Sequence, residues 1–90
     1  MKVKMFGKEW KIKNIAYKEK RKLWHGSIRA FDGDVVKQDE YFALMEQVEE
    51  SSGLKEKDYI NKDNKPLDMS EIDLLLQEVF TQYMGIEKKD

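Results

Sequence analysis

Residues 1–31 read MKVKMFGKEWKIK followed by NIAYKEKRKLWHGSIRAF, and the change of hydrophobic period between these two stretches decides the fold class. In the first stretch, apolar and charged residues alternate on either side of Gly7-Lys8, which predicts a β-hairpin over residues 1–15. We expect its apolar side to pack on the rest of the chain, because a two-stranded hairpin is marginally stable alone. That side contains Val3, Met5, Trp10 and Ile12.

From Ala16 the period becomes 3.6, which predicts a first helix over residues 16–32. We expect one stripe to face the core: Tyr17, Arg21, Trp24, Ile28 and Phe31. Gly26 is the weak point, because glycine inside a helix costs about 1 kcal/mol relative to alanine. An alternative ends the helix at His25 and forms a second hairpin from residues 27–31 and 35–38 around Asp32-Gly33. The spacing of the stripe runs through Gly26 and favours the helix.

A second helix is predicted over residues 38–52, with Asp39 as its N-cap and Gly53 just past its end. Residues 54–60 then suggest a short helical turn. The third helix is predicted over residues 70–85, with Ser70 as N-cap and Asp73 at the third helical position. Three further residues complete its expected ends: Met69 and Leu74 as a hydrophobic staple, and Ile86 folded back beyond Gly85. The fold class predicted is α+β and mainly helical, a hairpin followed by three helices.

Ninety residues allow one small domain, residues 1–90, which buries roughly 60–65% of the surface of its unfolded chain. The net charge of −1 conceals a strong asymmetry. Residues 1–31 have ten basic and two acidic side chains, a net +8, whereas the remainder has seven basic and sixteen acidic, a net −9. This split favours self-association, internal docking or a nucleic-acid arm. We expect no signal peptide and no membrane span, and therefore a cytoplasmic protein.

The patterns that would indicate catalysis or a metal are incomplete. His25 is the only histidine and cysteine is absent, whereas zinc sites need three or four Cys, His or carboxylate ligands. Residues 61–66, NKDNKP, have Pro66 where a calcium loop requires glycine and Ile72 where it requires glutamate. Acidic residues are abundant, but nothing in the pattern places two of them in one cleft. We predict no catalytic, cofactor or metal site and no enzyme activity.

The sequence favours binding to another macromolecule over catalysis or metal binding. Large aromatic residues exceed what so small a core needs, and a surplus of them is typical of interfaces. A cationic stripe on the first helix could contact a phosphate backbone, an acidic protein surface or another copy of the chain. The partner-binding candidates are the aromatic residues Phe6, Trp24 and Phe42 and the cationic residues Lys18, Lys22 and Arg29.

The order of these features resembles the small tail assembly chaperones of long-tailed bacteriophages. The resemblance covers nearly the whole chain and is carried by the hairpin around Gly7-Lys8, YKEKRKL at 17–23, SGL at 52–54 and MSEIDLLL at 69–76. It implies a non-enzymatic chaperone that forms homo-oligomers, keeps the helical tape measure protein soluble and recruits tail tube subunits. It also implies that a longer, frameshifted form is made. The alternative function is a small nucleic-acid-binding accessory protein that uses the basic first third.

Overall fold

The computed structural model describes residues 1–85 and confirms the α+β class, with an N-terminal hairpin followed by three helices. Two short hairpins, three helices and one 3-10 turn alternate along the chain. In order they are β1 (Lys2–Met5), β2 (Lys8–Lys11), α1 (Tyr17–Ala30), β3 (Phe31–Asp32), β4 (Val35–Val36), α2 (Gln38–Ser52), the 3-10 turn (Glu56–Asp58) and α3 (Met69–Met84). The predicted short helical turn is therefore the 3-10 turn.

The first hairpin forms as its alternation predicts. Val3 lies opposite Trp10 in the antiparallel register, and both side chains are buried under the helices together with Ile12. The turn consists of Phe6 and Gly7, with φ of 56° and 70°, which is the two-residue turn with positive φ that matches the strand twist. The turn thus precedes the predicted Gly7-Lys8 by one residue.

The predicted core stripe of α1 is wrong. The helix buries Leu23, Gly26, Ser27 and Ala30, while the stripe that contains Tyr17, Trp24 and Ile28 stays exposed. The reason is the close approach of α2 to α1. A Cβ on Gly26 would lie 3.1 Å from Leu44 Cδ1, so a side chain at this position would press on α2, and the absence of one lets α2 pack closely here. Gly26 is a packing position and not merely a weak point of the helix.

The end of α1 combines the two interpretations of the sequence. The helix continues through Gly26, as its spacing predicts, but it ends at Ala30 and not at residue 32. A hairpin of two-residue strands follows, in which Phe31 pairs with Val36 around Gly33, and Gly33 has a φ of 62°. The Asp32-Gly33 signal therefore marks a real turn, although its hairpin is far shorter than the alternative required.

Helix α2 spans the predicted residues, but Asp39 does not cap it. Lys37 occupies the N-cap position and makes no side-chain capping bond. Gly53 ends the helix in the left-handed conformation with φ of 79°, as predicted, because glycine has no Cβ to oppose it.

Helix α3 begins earlier than predicted, and its cap is Asp68, not Ser70. The Asp68 carboxylate accepts the Glu71 N–H at 2.8 Å, and the Glu71 carboxylate accepts the Asp68 N–H at 3.1 Å. This reciprocal capping box moves the staple positions from Met69 and Leu74 to Leu67 and Ile72. Leu67 is buried and Ile72 packs against the core.

The carboxyl end of α3 is formed by Gly85, whose φ is 69°. The predicted contact of Ile86 lies outside the described residues. No helix within residues 1–85 is long and apolar enough to span a membrane.

The core lies where the first hairpin meets the three helices. The Tyr83 hydroxyl of α3 donates to the Lys13 carbonyl at 2.6 Å, and the Lys13 N–H donates to the Ser52 carbonyl at 3.0 Å. These bonds join the segment that follows β2 to the carboxyl-terminal ends of α2 and α3. The buried apolar residues are Val3, Trp10, Ile12, Leu23, Ala30, Leu44, Met45, Val48, Leu54, Tyr59, Leu67, Leu75, Leu76, Val79 and Tyr83.

Candidate functional site

An open groove with a volume of about 510 Å³ lies between α2 and α3. We call it the α2–α3 groove. Residues at helical spacing on each helix point into it, and Met45 and Leu76 form its buried floor. Phe42 and Met69 form its walls and remain 60% and 78% exposed. The complete lining is Tyr41, Phe42, Met45, Glu46, Glu49, Met69, Ser70, Ile72, Asp73 and Leu76.

The rim of the α2–α3 groove is acidic. Glu46, Glu49 and Asp73 line it, and none of its lining residues is basic. Glu49 is held in place because the Tyr59 hydroxyl donates to its carboxylate. Burial, together with this bond to Glu49, raises the pKa of Tyr59, so the phenol remains a donor at neutral pH. An apolar floor with a negative rim suits a ligand that is itself apolar and cationic.

Tyr41 separates this groove from a second depression of about 510 Å³ beside the β3–β4 hairpin. Its hydroxyl donates to the Asp73 carboxylate at 2.8 Å and accepts from Gln77 Nε2, also at 2.8 Å. Burial and the bond to Asp73 raise the pKa of Tyr41 to about 12. The Tyr41 ring stands edge-on to Phe31 and to Phe42, with each pair of ring centroids 6.0 Å apart. The two depressions therefore share one aromatic ridge.

A second apolar surface lies on α1. It is the α1 stripe, which we define as Tyr17, Arg21, Trp24 and Ile28. Tyr17, Trp24 and Ile28 are 63%, 50% and 58% exposed. Helical residues at these spacings share one face, so the stripe is a continuous patch. Within residues 1–85, the α1 stripe is thus an apolar surface separate from the α2–α3 groove.

The cationic residues of α1 border a smaller depression of about 280 Å³ between α1 and α2, lined in part by Lys22, His25 and Arg29. Arg29 Nε lies 3.5 Å from Glu40 Oε2 on α2. Lys18 and Lys22 are exposed and make no ion pair within residues 1–85. Three cations are thus aligned on α1, and one of them is already occupied by a carboxylate.

The structure separates the predicted partner-binding residues. Phe42 lies in the α2–α3 groove and Trp24 in the α1 stripe. Phe6 is different, because it is half-buried in the hairpin turn and packs against the core. Phe6 is therefore less available to a partner than Phe42 and Trp24, which are both exposed.

Sequence reasoning missed the opposite wall of the groove. Met69 and Asp73 were interpreted as parts of a helix start, whereas both line the α2–α3 groove. The available signal was the spacing of Met69, Ile72, Asp73 and Leu76, which places them on one helix face. On α2, the same spacing joins Phe42 to Glu46 and Glu49.

Within residues 1–85, no three His, Asp or Glu side chains gather in a way that could hold a metal ion. No family model, curated protein or solved structure matches the chain.

Proposed function

We propose that this protein is a non-enzymatic, protein-binding chaperone of the phage tail assembly type. Its client in this proposal is the helical tape measure protein, which it keeps soluble in the host cytoplasm while tail tube subunits are recruited. The single observation that carries the proposal is the α2–α3 groove, which combines an apolar floor, exposed walls and an acidic rim. Amphipathic helices bind other proteins by laying an apolar face into such a groove.

The composition of the groove suits a client whose sequence varies along its length. Met45 and Met69 contribute flexible, polarizable side chains, and methionine adapts to differently shaped partners. Phe42 contributes a large exposed aromatic side chain, the residue class that often dominates binding energy. The acidic rim favours helices with lysine or arginine beside their apolar stripe.

The neighbouring reading frames provide the first check. We expect a downstream gene for a very long helical protein and a frameshift site near the end of this one. Co-expression with a fragment of that long protein is then the direct test. The parent chain is expected to raise the soluble yield of the fragment and to co-purify with it.

Phe42→Ala is the diagnostic variant and Leu74→Ala is its matched control. Both remove an exposed apolar side chain from a helix, but Leu74 does not line the α2–α3 groove. We expect Phe42→Ala to weaken client binding about 5- to 30-fold, corresponding to about 1–2 kcal/mol at an interface anchor.

Leu74→Ala should bind the client fragment like the parent. Equal binding by all three proteins, or failure of the parent to retain the fragment, would contradict the proposal.

A second candidate function, nucleic-acid binding, is favoured by Lys18 and Lys22, which are exposed and make no ion pair with any residue that the structure describes. It predicts a steep salt dependence, with roughly one unit of log–log slope per phosphate contacted. If a triple alanine variant of Lys18, Lys22 and Arg29 binds DNA and RNA as the parent does, this candidate is eliminated.

A further inference from the structure

The α1 stripe is an ordered, unpartnered helix face. Arg21 lies along it, because its guanidinium donates to the Tyr17 hydroxyl at 3.0 Å and sits 5.9 Å from the centre of the Tyr17 ring. From Tyr17 to Ile28 the stripe extends about 16 Å at 1.5 Å per residue. Its side chains occupy the positions by which an amphipathic helix anchors in a groove.

The charges around the α1 stripe are all of one sign. Every exposed charged residue of α1 is basic: Lys18, Lys20, Arg21, Lys22 and Arg29. The one acidic residue of the helix, Glu19, is half-buried and accepts a hydrogen bond from the Ser51 hydroxyl at 2.9 Å. The stripe is therefore an apolar surface in a cationic frame, whereas the α2–α3 groove is an apolar surface in an anionic frame.

We propose that the α1 stripe of one copy of this protein docks into the α2–α3 groove of a second copy. Trp24 and Ile28 would contact the apolar groove lined by Phe42 and Met69, while Arg21 and its neighbouring lysines face the carboxylates of Glu46 and Glu49. The charges favour this occupant over a stripe-to-stripe dimer, which would oppose two cationic frames. Like charges opposed across an interface repel each other, and that repulsion selects against such pairing.

This contact is heterologous, because each copy binds one neighbour through its α1 stripe and another neighbour through its α2–α3 groove. Heterologous contacts continue from copy to copy and generate either a ring or an open chain. Each copy keeps its own core in this arrangement, since neither the stripe nor the groove is taken from the packed interior. In this arrangement the basic helix α1 of one copy meets the acidic α2–α3 groove of the next. The opposite charges of the two parts of the sequence would then contribute to assembly.

The contact also adds a form of regulation to the proposed chaperone function, and this part of the inference rests on that proposed function. The α1 stripe resembles a client helix in chemistry, so the groove of the free protein is occupied by another copy until a client displaces it. Self-docking itself requires no client and is tested without one.

Two single variants of the full chain test the proposal by complementation. Trp24→Glu places an acid on the stripe, where it would meet the acidic rim, and Phe42→Lys places a cation in the groove, where it would meet the cationic stripe. Both side chains are at least half exposed, so both variants are expected to fold like the parent. Far-ultraviolet circular dichroism and thermal unfolding check this.

Sedimentation velocity then measures the mass of each protein. The parent should exceed the 10.7 kDa of one chain increasingly with concentration, and each variant alone should remain a monomer. An equimolar mixture of the two variants should regain at least the mass of a dimer, because it retains one intact stripe and one intact groove. Raising the salt concentration should weaken the parent assembly several-fold, since the two frames attract electrostatically.

Three results would overturn the inference. The first is a parent chain that stays monomeric up to about 1 mM, the range of the weakest specific contacts. The second is a variant that assembles as the parent does. The third is a mixture in which the variants fail to rescue each other, which would indicate an isologous contact. None of these results depends on client binding, and a client that binds a monomeric parent would leave the proposed function intact.

Discussion

Replacing Gly26 by alanine measures how much the close contact between α1 and α2 constrains the sequence. In a free helix this change stabilises by about 1 kcal/mol. In this fold the new Cβ would lie 3.1 Å from Leu44 Cδ1, whereas carbon atoms attract best at about 3.5–4.0 Å. Leu44 is buried, and overpacking in a core costs about 1–3 kcal/mol. We expect Gly26→Ala to leave the free energy of unfolding unchanged or to lower it by up to about 2 kcal/mol.

A double-mutant cycle isolates the contact from the helix propensity. Leu44→Ala removes the side chain that the new Cβ would strike, and by itself it costs about 2–5 kcal/mol through the cavity it creates. In that background Gly26→Ala meets no obstacle and should gain the full value of about 1 kcal/mol. The two substitutions should therefore be coupled by about 1–3 kcal/mol, within the range known for contacting residues.

Urea unfolding followed by far-ultraviolet circular dichroism gives the four free energies of the cycle. The transitions should share one slope, so that differences in midpoint report stability directly. If Gly26→Ala stabilises the protein by about 1 kcal/mol in both backgrounds, the glycine is only a defect of the helix. The close-packing explanation for the exposed aromatic stripe would then be refuted.

Two further predictions concern the helix cap and the response to alkali. Asp68→Ala should destabilise the protein and lower the midpoint of its urea unfolding, the usual effect of losing an N-cap, while Ser70→Ala should change stability far less. Equal losses in urea unfolding would contradict the assignment of the cap to Asp68. Because the folded-state pKa of Tyr41 is raised from 10.0 to about 12, its unfolded form ionises first, and stability falls as pH rises from about 10 to 12. Tyr41→Phe has no phenolic proton to lose, so the difference in free energy of unfolding between parent and variant should shrink between about pH 10 and pH 12. A difference that stays constant over this pH range would contradict the prediction.

Local patterns predicted most of the elements. The alternation around Trp10 and the left-handed ends at Gly53 and Gly85 depend on residues adjacent in the chain, and these features were confirmed. The helix caps were harder, because Asp68 and Ser70 are both good capping residues. Burial of Leu67, with Ile72 packed against the core, places the hydrophobic staple around Asp68 and favours it as the cap.

The candidate site was less predictable than the fold. Phe42 could be singled out because it widens the apolar side of α2. Its contribution to a binding site, however, depends on which residues of α3 lie on the opposite wall of the groove. Met69, Asp73 and Leu76 come from a helix that begins far along the chain. Their helical spacing shows that they share a face, yet spacing does not say which other helix that face meets.

The sequence by itself determined the first hairpin, the three helices and the opposite charges of the two parts of the chain, because these follow from residue order alone. Only the tertiary structure decided which face of α1 is buried. That helix has an aromatic face and a face of small residues, and either could satisfy the helical period. Leu44 lies so close to Gly26 that a side chain there would press on it, and the face that packs on α2 is the one with Gly26, Ser27 and Ala30. Trp24 and its neighbours are exposed for that reason, with a cationic frame around them and an acidic groove elsewhere on the same chain.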